Sequence, residues 1–290
     1  MRALALALVV VVAGAAVLGL AGVAAPRGDR AAARDIAVVA LPAGAFDYRL
    51  AGDFTRDGLP TNGPLVRVAI DAPFDIMAHQ VSQRDYARCV AEAACPKLSG
   101  PARTAANLPV VGVSWRDATA YAAWLSRRRG EDWRLPTDVE WAYAAGERFR
   151  DDPIVESASD DYAQRWLERF DQESARADLP KAPQPFGRFG ANAKGVVDLA
   201  GNVWEWTDAC YERRSLDAAG EPSGALTRNC RVRVIEGGHR MYMSDFIRDG
   251  LTGGCSVGQP PTNLGIRLVR HRPSAWRRAL GVVGDRLALL

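Results

Sequence analysis

This chain has little histidine: three in 290 residues, His79, His239 and His271, far apart. A histidine-built metal centre is therefore not legible in the pattern. Cysteine is sparse too, with five residues and no C-x-x-C pair, which argues against a thiolate metal site. Charge of one sign is also missing. Lys and Arg number 37 against 34 Asp and Glu, a net +3. That excess is small, scattered and partly held by Arg270, Arg272, Arg277 and Arg278, so nucleic acid is not expected as a partner. No internal repeat is evident. What is present is ordinary for a folded globular protein, with 48% apolar and 24% charged residues.

The N-terminus carries an address. Arg2 precedes an uncharged, mostly apolar run from Ala3 to Pro26, and small residues Val23, Ala24 and Ala25 precede a charged stretch. Residues 1–25 read as an export signal with cleavage after Ala25. The run is also long enough to serve as an uncleaved membrane anchor. Either reading places the folded part outside the cytoplasm, in the periplasm or its equivalent, where disulfides persist. Cys89 and Cys95 suit a local disulfide, and Cys210 and Cys230 suit a staple at the base of a polar loop, Tyr211–Asn229. Cys255 is left over, and could stay free or exchange with Cys230, because pairing does not follow from spacing.

Short apolar bursts at Ile36–Leu41, Leu65–Ile70, Val203–Trp206, Arg231–Glu236 and Leu264–Val269 read as strands. Ser82 caps a helix over Gln83–Val90, and Pro96–Leu108 reads as a loop. Ser114 with Asp117 forms a capping-box pattern before Ala118, Tyr121, Ala122 and Leu125, and Gly130 stops that helix. Thr137 with Glu140 repeats the pattern before Trp141–Ala145, which Gly146 ends. Tyr162–Glu173 suits a solvated helix with Trp166 and Phe170 on one face. Residues 272–290 suit a basic amphipathic tail that packs on its own domain or a partner, or lies on a membrane. Short elements joined by long loops predict an α+β domain over 36–271 whose loops carry function.

The stretch Gly195-Val-Val-Asp198-Leu-Ala-Gly201-Asn202-Val203-Trp204-Glu205-Trp206 stands out. Its spacing alone favours a tight Gly-Asn turn before a buried Trp strand. The sharper reading is a hard-cation site, with carboxylates from Asp198 and Glu205 and carbonyls from the turn between them. One Asp and one Glu do not by themselves complete such a set.

Four segments in register resemble one family. They are Pro109–Trp115 with Asp117, Ala118 and Tyr121; Trp133–Ala145; Gly195–Trp206; and Arg233–His239 followed by Asn263–Arg267. Together they look like the formylglycine-generating enzyme, or sulfatase-modifying factor, family. The resemblance implies a variant of the C-type lectin fold, with little regular structure, a small twisted antiparallel sheet, two short helices and large loops. It implies structural calcium at Asp198, Gly201, Val203 and Glu205. It also implies a copper site of two cysteines five residues apart, shortly after Gly-Gly-Ser. Here His239 follows Gly237-Gly238, and the two cysteine positions hold Tyr242 and Ile247. Soft thiolates suit Cu(I), so copper-dependent formylglycine formation is not expected.

The groove position offers His239, Arg240, Tyr242, Asp245, Arg248 and Asp249. These residues suit a polar cleft for a peptide, a cofactor or a partner protein. His239 could act as an acid or base, although a lone histidine beside a Gly-Gly turn is more often structural. Arg267 reads as a buried ion-pair partner. Within the family, Gly238–Ser244, Gly253–Gly258 and Pro260–Gly265 look most like the accessory-protein branch encoded with copper nitrite reductase, the NirV branch. The resulting expectation is an exported, non-catalytic accessory protein in denitrification. The alternatives are an oxidoreductase using a different metal site and a lectin-like sugar or peptide binder.

Overall fold

The computed structural model describes residues 36–150, 161–174, 182–250 and 263–271. The proposed signal, the tail from 272, Cys255 and the rest of 251–262 lie outside the described residues. In chain order the elements are β1 (Val38–Leu41), β2 (Gly44–Arg49), β3 (Asp53–Arg56), β4 (Leu59–Thr61), β5 (Leu65–Ile70), β6 (Phe74–Met77), α1 (Gln83–Ala91), α2 (Trp115–Arg129), β7 (Trp133–Arg134), α3 (Asp138–Ala145), α4 (Tyr162–Ser174), β8 (Trp204–Leu216), β9 (Pro222–Glu236), β10 (Arg240–Ser244), β11 (Leu264–Gly265) and β12 (Val269–His271).

Local chemistry places the helices. Ser82 accepts the Asp85 amide at 3.0 Å and starts α1. Ser114 and Asp117 close a capping box at 3.2 and 2.9 Å at the start of α2, and Gly130 ends it in the left-handed region at φ 66°. Thr137 and Glu140 do the same for α3. Each cap is worth roughly 1 kcal/mol.

Three sheets result. One runs β1-β6-β12-β7, a second β10-β9-β8-β3-β4 with β11 beside β8, and the third is β2-β5. Most pairings are antiparallel, while β3 and β11 join β8 in parallel. The polar stretch expected as a loop, Tyr211–Asn229, is instead a β-ribbon. Its arms pair Tyr211 with Asn229 and Glu212 with Arg228, leaving only residues 217–221 as the turn. Cross-strand pairs such as Arg228–Glu212 at 2.5 Å hold polar side chains on an exposed ribbon, so polarity did not mean irregularity. The single strand expected over Leu264–Val269 is split between β11 and β12. The observed helices number four among the described residues, and α2 is long at 15 residues.

The core has two apolar parts. Tyr86, Tyr121, Leu125, Trp204, Trp206 and Ile235 pack with α1 and α2. Phe74, Ile76, Trp141, Leu199 and Val269 pack with α3. In the Gly195–Trp206 turn Gly201 is not in the left-handed region. Asp198 and Ala200 are, at φ 57° and 61°. Gly201 is required for space, since a Cβ there would lie 2.8 Å from the Phe189 ring.

Candidate functional site

Strand alternation sorts the Trp-Glu-Trp triplet. Trp204 and Trp206 enter the α1/α2 core, and Glu205 points the other way, toward Trp141. Glu205 is fully buried, and its oxygens are crowded with N–H donors. Gln80 Nε2 donates at 2.7 Å, Trp141 Nε1 at 2.8 Å, and Arg267 Nε and Nη2 at 2.9 and 3.0 Å. The Arg267 guanidinium is equally saturated. Its Nη1 donates to the Met77 and Ala78 carbonyls and its Nη2 also to that of Val197, all at 2.9 Å. This is the buried ion pair expected of Arg267, and every donor of the fork is used.

Asp198 differs. Its carboxylate is fully buried and accepts the Gly187 amide at 2.6 Å and the Phe189 amide at 2.8 Å. Among the described residues no lysine or arginine pairs with it, and the two amide donors use half of its acceptor capacity. A buried carboxylate so lightly compensated fits a hard cation. Glu205 does not fit as a ligand unless it gives up one of its four donors. Among the described residues no group of three or more His, Cys, Asp or Glu side chains is gathered for a metal.

The groove candidates fall into separate places. His239 is buried, with its ring edge-on to Trp204 at 4.8 Å. His79 stacks near Phe186 and His271 lies beside Arg134, so the three histidines do not converge. Arg240 and Tyr242 alternate with Met241 and Met243 along β10, and the methionines enter the core. Tyr242 accepts the Gly52 amide at 2.6 Å. Asp245 and Arg248 lie elsewhere, at the start of α2. Asp245 pairs with Arg116 at 3.0 Å and Arg231 at 3.5 Å, and Arg248 grips Asp117 at 2.7 and 2.9 Å. Asp117 therefore serves the capping box and anchors Arg248.

Sequence reasoning passed over the cluster around Arg240. Arg240 Nε donates to Glu236 at 2.9 Å, Nη2 lies 3.2 Å from Asp138, and Tyr48 donates to Asp138. The guanidinium sits over the rings of Tyr48 and Phe149 at 5.0 and 5.5 Å. Two buried carboxyl groups face one guanidinium. Burial, with Asp138 beside it, pushes Glu236 well above the usual carboxylate range against the pull of Arg240. A protonated Glu236 can then donate to Asp138, which suits the two oxygens otherwise left without partners, Asp138 Oδ1 and Glu236 Oε2. The signal was the acidic residue directly before Gly237-Gly238, but nothing local pairs it with residue 138.

The family model for the sulfatase-modifying factor enzyme 1-like domain matches residues 25–272. The chain belongs to the sulfatase-modifying factor family. A formylglycine-generating enzyme of Streptomyces coelicolor is 31% identical over 56% of this chain and 52% of its own length. Mouse formylglycine-generating enzyme matches over 46% of its length, so the chain spans about half the length of these curated relatives. A mouse relative, inactive C-alpha-formylglycine-generating enzyme 2, is 30% identical over 82% of this chain and 92% of its own. The structure of PvdO from Pseudomonas aeruginosa covers 81% of this chain and 94% of its own at TM-score 0.51 and 23% identity, which supports the fold. The short strands and the three capped helices are in keeping with that fold. In this member the two positions expected to hold copper thiols are a hydrogen-bonded tyrosine and an aliphatic residue.

Proposed function

We propose that this chain is an exported, non-catalytic member of the family that binds a protein partner or peptide and assists maturation of a periplasmic metalloenzyme. One observation carries the reading. Tyr242 and Ile247 stand where the thiol pair would be, and four of the five cysteines are consumed in the disulfides Cys89–Cys95 and Cys210–Cys230. The 30% identity to a mouse protein named as inactive supports it. The partner we favour is copper nitrite reductase, on the likeness of Gly238–Ser244, Gly253–Gly258 and Pro260–Gly265 in the sequence to the accessory branch. Calcium at Asp198, with carbonyls of Gly201 and Val203, is the cofactor this reading includes; bound there, it would neutralise the buried carboxylate and stiffen the turn.

The test has two parts. Purified protein should yield no formylglycine from a cysteine-containing sulfatase peptide with copper and oxygen supplied. It should also raise the copper content of a co-expressed nitrite reductase. Stoichiometric copper or iron that is lost in His239→Ala would overturn the reading in favour of an oxidoreductase with another metal site.

A further inference from the structure

The two disulfides sit in contrasting surroundings. Cys89 and Cys95 are buried at 0% and 6% exposure between α1 and its following turn. Cys210 is half-buried and Cys230 is exposed on the β8/β9 ribbon. Thiol attack needs access to a sulfur, so the exposed position of Cys230 favours the second pair.

That pair also sits at one of three register shifts in the β8/β9 ladder. The inner ribbon pairs Glu205 with Glu236 and Trp206 with Ile235, and Cys210 then pairs with Arg233. The next rung is Tyr211 with Asn229, a register shift that leaves Cys230, Arg231 and Val232 outside the ladder with β8, and Cys230 is held to Cys210 by the disulfide at a Cα–Cα distance of 4.5 Å. The inner half is fastened to β10, where Val232 pairs with Ser244. The outer half is fastened to β3, where Arg213–Leu216 pair with Asp53–Arg56. Where the backbone ladder lapses, the Cys210–Cys230 bond is the covalent tie across it. Tyr211 links the outer half to the groove strand: its hydroxyl donates to Asp53 at 2.6 Å and its ring meets Tyr242 edge-on at 5.3 Å.

We propose that Cys210–Cys230 is a thiol-exchange site, opened by an external protein dithiol, and that its redox state sets how firmly the outer ribbon holds Tyr242. A thiolate of the dithiol attacks Cys230 Sγ, and Cys210 leaves as a thiolate that takes a proton from water. The dithiol's second thiol then attacks its own sulfur in the mixed disulfide and releases Cys230. The cysteine pair gains two electrons and two protons, and the dithiol becomes a disulfide.

The test uses the full chain with Cys255→Ser, so that four cysteines remain, treated with thioredoxin or dithiothreitol under native conditions. Alkylation and mass spectrometry read each pair. Cys210–Cys230 should open at least about ten times faster than Cys89–Cys95, given the difference in access. Hydrogen exchange should then rise in 211–229 and around Tyr242, with α2 and Trp206 unchanged. Equal rates, or reduction of either pair only on global unfolding, would overturn the exchange site. Reduction without added exchange near Tyr242 would overturn the coupling. If Cys210→Ser/Cys230→Ser folds, it should reproduce the reduced exchange pattern. The native-chain reduction decides the matter if it does not fold.

Discussion

Glu205 and Glu236 are direct cross-strand partners on β8 and β9, and one helix addresses both. Trp141 of α3 donates to Glu205, and Asp138, one turn earlier, sits beside Glu236. Each glutamate has its own arginine, Arg267 or Arg240. The two sites are nevertheless unlike. Arg267 spends every donor on Glu205 and backbone carbonyls, whereas Arg240 must serve two carboxyl groups.

Glu205→Gln leaves Arg267 buried without its counter-charge. The expected loss is about 3–5 kcal/mol of unfolding free energy in urea titrations. Arg267→Met should cost a similar amount, and the double variant less than the sum of the two singles, because they share one ion pair. Additive losses would mean that the pair is not coupled.

Glu236 makes stability pH-dependent. Its folded pKa is raised above the ordinary 4.5, so its contribution is complete below about that value and is lost as pH rises through the folded one. Glu236→Gln mimics the protonated side chain and should remove this slope. Melting temperatures of the parent and the variant should diverge as pH rises, with the parent falling faster. Parallel curves would show that folding does not raise the Glu236 carboxyl.

Asp198 is the residue on which the proposed calcium site rests. A chelator should lower the melting temperature of the parent, and added calcium should restore it. Asp198→Ala should start lower and ignore both reagents. A parent protein indifferent to chelator, with no calcium detected by elemental analysis, would remove the metal from this site.

Gly201→Ala places a methyl group 2.8 Å from the Phe189 ring. Overpacking of this kind costs roughly 1–3 kcal/mol. Phe189→Leu in the same chain should relieve part of it. An unchanged melting temperature in the single variant would show that the Gly187–Gly190 turn yields freely.

Much of the fold was legible because its signals are local. Ser82, Ser114 and Thr137 sit one residue before their helices, and capping depends on donors two or three residues away. The Trp-Glu-Trp alternation likewise marked a strand with one polar face. The ribbon was not legible, because Tyr211–Asn229 is polar on an exposed sheet and its pairing depends on Cys210, Cys230 and β3 rather than on an apolar stripe. The groove residues Arg240, Tyr242, Asp245 and Arg248 share one short stretch of chain, yet the fold divides them between two clusters.

From residue order alone came the family, the capped helices, the candidate disulfides and the missing thiol pair, since each rests on identity or short spacing. Tertiary structure alone decided which carboxylates are satisfied. Glu205 and Asp198 are seven residues apart and look equivalent as ligands. Only the arrival of Gln80, Trp141 and Arg267 from distant segments fills one and leaves the other lightly compensated. A carboxylate's charge and hydrogen-bonding state depend on what packs against it, and packing joins residues that sequence keeps far apart.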